Sequence, residues 1–151
     1  MKHYADIAIY GRDGGLKLLV EAKSKREKSR EWAARLRRNM YAHGQLPRVP
    51  YFLVALPDRF YLWRDMTDPQ ALVDPQYSVD PTSVLRPYFD RAHTSSQTVT
   101  EIGLELAVSA WLEKLANSPN QPASLHNEQW LHQSGLLEAI RGGSVEVQAL
   151  V

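Results

Sequence analysis

A mixed α/β domain, with a four-stranded central sheet flanked by helices and further helices toward the C-terminus, is the fold class this sequence predicts. Three observations carry that prediction. The segments run in the order strand, strand, helix, strand, strand and then helices. The 151 residues are 44% hydrophobic and 23% charged, the mix of one globular domain of ordinary size. The second strand holds the continuous run Leu18-Leu19-Val20, which suits a strand covered on both faces.

Tyr4 to Tyr10 is short, apolar and ends at a glycine, so it reads as the first strand. Arg12-Asp13-Gly14-Gly15 is a turn cluster, and Asp-Gly is a strong hairpin signal. Leu16 to Lys23 reads as the second strand. A helix is expected from about Ser29 to Ala42, because Ser29 can cap it and Trp32, Leu36 and Met40 recur at helical spacing. Gly44 suits its left-handed stop, His43 sits where the helix dipole favours a cation, and Pro47 and Pro50 forbid continuation. Tyr51 to Leu56 and Phe60 to Trp63 are the third and fourth strands, joined by the turn Pro57-Asp58-Arg59. Asp65 to Pro87 contains Pro69, Pro75, Pro81 and Pro87 and reads as an irregular connection. Thr100 to Leu115 returns to helical spacing through Ile102, Leu106, Ala110 and Trp111, with Thr98 or Thr100 as the cap. Asn117 to Pro122 reads as a linker, and Glu128 to Ile140 as a short helix stopped at Gly142-Gly143. Ser144 to Val151 is either a terminal strand or a loose tail. Residues 1–64 thus form the core, and residues 65–151 are a connection and helices packing on it within the same domain.

Charge divides the chain the same way. Residues 1–64 carry 14 Lys+Arg and 6 Asp+Glu, a balance of +8, whereas residues 65–151 carry 4 and 11, a balance of −7. Such asymmetry is compatible with a polyanion partner for the basic part, and equally with two solvated faces that attract each other. Cysteine is absent, which excludes disulfide scaffolds, thiolate metal sites and a cysteine nucleophile. No apolar run reaches the roughly 18 residues of a membrane span. The opening Met1-Lys2-His3-Tyr4-Ala5-Asp6 lacks a signal-peptide core, so a cytoplasmic protein is expected. The five histidines are scattered and form no zinc pattern. Asp65, Asp68, Asp74 and Asp80 lack calcium-loop spacing and read as turn residues.

One constellation carries chemistry. Glu21 and Lys23 lie two apart on a strand and share a face. With Asp13-Gly14 as a two-residue turn, Asp6 lies directly across from Glu21. Centring the turn on Gly14-Gly15 would oppose Asp6 to Lys23 instead. Directly opposed like charges, with Cβ atoms about 4.5–5.5 Å apart, destabilise a sheet and call for a cation. A divalent metal supplies one, Lys23 supplies part of one, and oxygen-only ligation with retained waters is what Mg²⁺ prefers. Phosphodiester hydrolysis asks for these groups, and the surface-hairpin reading asks only for an Asp–Lys or Glu–Lys pair.

Ala5-Asp6-Ile7-Ala8-Ile9, the hairpin, and Leu19-Val20-Glu21-Ala22-Lys23 resemble the signature of the PD-(D/E)XK nuclease superfamily, in particular the nuclease domains of restriction-enzyme type. Tyr51 to Leu56 with Arg59 to Trp63 is similar to that group's last core strands, so the resemblance covers about residues 4–64. It implies a restriction-endonuclease-like fold and Mg²⁺-dependent cleavage of nucleic acid, DNA more than RNA. Mg²⁺, with Mn²⁺ as the alternative, would bind Asp6, Glu21 and the Ala22 carbonyl, and Lys23 would be catalytic. Ala5 stands where the family often has proline. The family's core opens with a helix, sometimes bearing an acidic residue, yet five residues precede Asp6. Either that helix is missing, or the helix around Thr100–Leu115 fills its place by an altered chain order, bringing Glu101 or Glu105. Relatives also carry a polar residue on the helix after the lysine strand. Arg35, Arg37, Arg38 and Asn39 are the candidates, and Arg35 with Arg38 is the preferred pair. Lys23 to Arg48 holds nine Lys+Arg against two Glu, so Lys25, Arg35 and Arg38 are expected to contact phosphates. A catalytically inactive binding or interaction module is the second reading. A homodimer through the acidic C-terminal half is compatible with both.

Overall fold

Alternating apolar strands need cover on two sides, and the chain supplies it with helices from both ends of the sequence. The computed structural model describes residues 4–44, 46–65, 68, 71–118 and 129–151. Its elements are β1 (Tyr4–Tyr10), β2 (Leu16–Ala22), α1 (Arg30–Gly44), β3 (Tyr51–Ala55), β4 (Phe60–Arg64), β5 (Tyr77–Val79), α2 (Thr82–Arg91), α3 (Glu101–Ala116), α4 (Gln129–Gln133), α5 (Leu136–Ile140) and β6 (Ser144–Leu150). The α/β class holds, with a six-stranded sheet in the order β5-β4-β3-β2-β1-β6 in place of the expected four strands. Short β5 extends one edge and β6 the other, antiparallel to β1 from Tyr4↔Leu150 to Tyr10↔Ser144. Ser144 to Leu150 is therefore a strand and not a tail.

β2 and β3 are parallel, joined by the crossover through α1, and the other neighbours are antiparallel. Each face of the sheet is dry. Ile7, Ile9, Leu18, Val20, Leu53, Phe60 and Leu62 pack under α2 to α5. Ala8, Leu19, Phe52, Val54, Tyr61 and Trp63 pack under α1. That double cover explains the unbroken apolar run in β2.

α1 begins as its sequence dictates: Ser29 Oγ accepts from Trp32 N at 3.1 Å. Its buried residues are Ala33, Ala34, Arg37, Tyr41 and Gly44, with Trp32, Leu36 and Met40 half-buried beside them. Arg37 lies with its guanidinium 5.1 Å from the Tyr41 ring, 5.6 Å from Trp63 and 5.9 Å from Phe52, so it is a core residue and not a phosphate contact.

The irregular connection expected from Asp65 to Pro87 is instead the source of β5 and the first part of α2. Pro81 is the N-cap and Pro87 lies inside α2. Asp80 Oδ1 accepts from Thr82 N at 2.9 Å and from Thr82 Oγ1 at 2.6 Å, which steadies the first turn. α3 is capped by Thr100, whose Oγ1 accepts from Gly103 N at 3.0 Å. The face it buries is Leu104, Ala107, Val108, Trp111, Leu112 and Leu115, while Ile102 and Leu106 are 72% and 58% exposed. α3 is apolar around most of its circumference, so periodicity alone does not choose the face. The single helix expected from Glu128 to Ile140 is two short helices, separated at Gly135 with φ +80°. Glu128 and residues 119–122 of the expected linker lie outside the described residues. Among the described residues no helix is long and apolar enough to cross a membrane.

Candidate metal and phosphodiester site

The β1–β2 hairpin sets the site, through a turn that differs from the expected one. Gly14 N donates to Gly11 O at 2.9 Å and Gly11 N to Gly15 O at 2.8 Å. Gly14 has φ +82°, so the loop is Arg12-Asp13-Gly14 with a left-handed glycine in third place. That loop alone would put Asp6 one residue out of step with Glu21. A bulge corrects it: Tyr10 pairs with Leu16, but Ile9 pairs with Leu18 and Ile7 with Val20, leaving Lys17 as the extra residue. Continued by one pair, this register places Asp6 opposite Glu21. Asp6 Oδ2 also accepts from Ala22 N at 2.8 Å, pinning the carboxylate to β2.

Glu21 and Lys23 share the α1 side of β2 with Leu19. Lys23 Nζ lies 3.1 Å from Glu21 Oε1. Glu21 is 9% exposed. Burial, and then the Asp6 charge, push its carboxyl up to about 7 against the pull of Lys23, and a hydrogen bond to Asp6 adds to the rise. Burial opposes the charge on Lys23, yet Glu21, Glu101 and Asp6 together hold its ammonium above the ordinary lysine value. Lys23 therefore stays protonated at neutral pH, suited to stabilising developing negative charge and unsuited to acting as a base.

α3 brings two further carboxylates to this set. Glu101 Oε1 is 3.9 Å from Lys23 Nζ. Glu105 is buried, and its Oε1 accepts from Gln148 Nε2 on β6 at 2.7 Å. Burial raises the Glu105 carboxyl, the Gln148 hydrogen bond opposes this, and the charges of Asp6 and Glu101 add to the rise. Glu101 and Glu105 lie one turn apart on the helix whose Thr100 cap fixes its start, and only tertiary placement brings them here.

A cavity of about 280 Å³ adjoins the two strand carboxylates, lined by Asp6, Glu21, Asn39, Met40, His43, Gly44 and Leu46. The polar α1 residues that line it are thus Asn39 and His43, not the preferred pair Arg35 and Arg38. Arg35 is exposed and Arg38 half-buried on the same helix. Arg35, Asn39 and His43 recur at four-residue intervals, so they share one face; that spacing is the signal by which the sequence could have found His43. Lys25 lies in the exposed segment after β2. That segment is anchored at two points: Glu27 N donates to Asp58 Oδ2 at 3.0 Å, and Tyr61 Oη to Lys28 O at 2.6 Å.

The donor chemistry can be tested against a metal. Asp6 and Glu21 offer oxygen only, and burial first and the Asp6 charge second raise the Glu21 carboxyl. Among the described residues no group of three His, Cys, Asp or Glu could hold an ion. The protein would thus give two carboxylates, with water and substrate completing a shell of the kind Mg²⁺ takes. No family model, curated protein or solved structure matches this chain.

Proposed function

We propose that this chain is a Mg²⁺-dependent nuclease of the PD-(D/E)XK type, hydrolysing phosphodiester bonds in nucleic acid, DNA more than RNA. The observation that carries the reading is Asp6 hydrogen-bonded to Ala22 N and close enough to raise the Glu21 carboxyl, with Lys23 Nζ 3.1 Å from Glu21. The acidic residues of α3 support it as well: Glu101 Oε1 lies 3.9 Å from Lys23 Nζ, and the Asp6 charge acts on the Glu105 carboxyl. The preference for DNA rests on the resemblance to restriction-type domains.

In this reading Asp6 and Glu21 hold the ion, with the Ala22 carbonyl as the third donor that the resemblance implies. Bound there, a divalent ion supplies Lewis-acid polarisation of the phosphate and a lowered pKa for attacking water. Lys23, kept charged by three carboxylates, faces the negative charge that builds on the phosphoryl oxygens. Lys25, Arg35 and Arg38 contribute the sequence-independent attraction to the backbone.

Glu21→Ala should abolish Mg²⁺- or Mn²⁺-dependent cleavage of plasmid, linear and single-stranded DNA while leaving the circular dichroism spectrum unchanged. Equal cleavage by that variant would refute the assignment. The second reading, an inactive nucleic-acid-binding or interaction module, draws on the closed Lys23–Glu21 ion pair and the two-carboxylate donor set. It predicts DNA binding without cleavage, and no heat of Mg²⁺ binding in calorimetry.

A further inference from the structure

We propose that His43 is a catalytic residue of this site, the group that protonates the leaving oxygen of the phosphodiester, with Asn39 hydrogen-bonding the same phosphate. The inference rests on the nuclease reading above and names a proton donor that reading lacks.

The cavity beside the carboxylates supplies the geometry. Asp6 from β1 and Glu21 from β2 line one part of it, and Asn39, Met40 and His43 from α1 another. A phosphodiester brought to the two carboxylates in this cavity meets the α1 wall. Asn39 and His43 are exposed and one turn apart, so their polar ends can reach a ligand there. The carboxylates facing His43 are Asp6 and Glu21, and the cation beside them is Lys23. Imidazole carries a donor and an acceptor nitrogen when neutral and two donors when charged, which suits hydrogen bonding and proton transfer at a phosphate.

Chemistry then separates His43 from Lys23. Lys23 Nζ is engaged by Glu21 Oε1 at 3.1 Å and lies 3.9 Å from Glu101 Oε1, whereas His43 stands on the α1 wall of the cavity. Imidazole is the side chain that ordinarily gains and loses its proton near neutrality. In the step, the water oxygen forms a bond to phosphorus and the bond from phosphorus to the leaving oxygen breaks. The leaving oxygen takes the proton of the His43 imidazolium and departs as a hydroxyl. The proton released by the attacking water passes to solvent, and solvent reprotonates His43. Arg35, one turn before Asn39 on the same face, extends the contact to an adjacent phosphate.

Single-turnover cleavage of two DNA substrates by wild type and His43→Gln tests this. One substrate is an ordinary oligonucleotide, and the other carries sulfur in place of the leaving bridging oxygen, placed at either the 3′ or the 5′ side. A thiolate leaves without a proton. The variant should lose about 10²- to 10⁴-fold on the ordinary substrate, the usual worth of general-acid catalysis, and cleave the sulfur substrate at nearly the wild-type rate. DNA affinity by fluorescence anisotropy without divalent ion, and the melting temperature, should be unchanged, since His43 is exposed. An equal loss on both substrates, no loss on either, or a loss of affinity that accounts for the rate would overturn the role of His43 while leaving the nuclease reading standing. Failure of the wild type to cleave either substrate would overturn the nuclease reading, and the role of His43 with it.

Discussion

Glu21→Gln should make the metal-free protein more stable at about pH 8, although it removes an ion pair. Folding carries the Glu21 carboxyl from an ordinary 4.5 to about 7. Between those values the unfolded chain has released its proton while the native chain still holds it, so stability falls as pH rises through that window and levels off above it. At about 1.36 kcal/mol for each pH unit, the full displacement corresponds to about 3 kcal/mol lost above neutrality. Gln keeps a donor for Asp6, as the protonated acid does, and the attraction of Lys23 for the charged form is already contained in the displaced value. A net gain of about 3 kcal/mol is therefore expected near pH 8, or roughly 6–12 °C in melting temperature for a chain of this size. Near pH 4 the two proteins should coincide, because Glu21 is then protonated in both states. Thermal and urea melts across this range, run in chelator, measure the difference directly, and subtracting the two curves cancels Glu105 and every other shared group. Mg²⁺ should restore the wild type at high pH and leave Glu21→Gln unmoved. Parallel stability curves for the two proteins between about pH 4.5 and 7, or a wild type that gains on the variant as pH rises, would refute the reasoning.

The triple variant of Lys25, Arg35 and Arg38 to alanine should weaken DNA binding uniformly across sequences. It should reduce the slope of log affinity against log salt by about one for each phosphate that these side chains neutralise; an unchanged slope would remove them from the interface. Gly135→Ala should cost more than about 1 kcal/mol in urea unfolding, because φ is +80° and a Cβ there would lie 2.8 Å from Tyr51 Oη, which donates to Ser134 O at 2.7 Å. A neutral effect would show that this junction between α4 and α5 is easily rearranged.

What the sequence makes legible follows the range of the forces involved. α1 is readable to its cap because Ser29, the helical spacing and the prolines beyond all act within a few residues. Asp6, Glu21 and Lys23 are readable as a group because strand alternation and one hairpin bring them together. Even there the two-residue turn that Asp13-Gly14 suggests does not form, and the pairing it implies survives only because the bulge at Lys17 restores the step that Gly14 takes away. The prolines between Asp65 and Pro87 hide β5 and the start of α2, since a proline at an N-cap or within one helix turn looks like a breaker in sequence. α3 is recognisable as a helix but not in its buried face, because Ile102 and Leu106 are as apolar as the residues it does bury. Asn39, Glu101 and Glu105 stand among the sequence's candidates, and His43 shares a helix face with Asn39. Choosing among them needs knowledge of which helix face meets which strand end, a property of the whole packing.

The strand that carries Asp6 has its two neighbours at very different distances along the chain. β2 follows after one tight loop, whereas β6 brings Leu150 against Tyr4. Loop-closure entropy makes the first pairing quick and the second slow. During assembly the β1–β2 hairpin and the crossover to β3 can form while β1 still presents a bare edge of backbone donors and acceptors. A bare edge of this kind is the template on which strands of separate copies pair, and closure by β6 removes it. With that strand comes Gln148, whose amide donates to Glu105 at 2.7 Å, so β6 carries one contact of the candidate site.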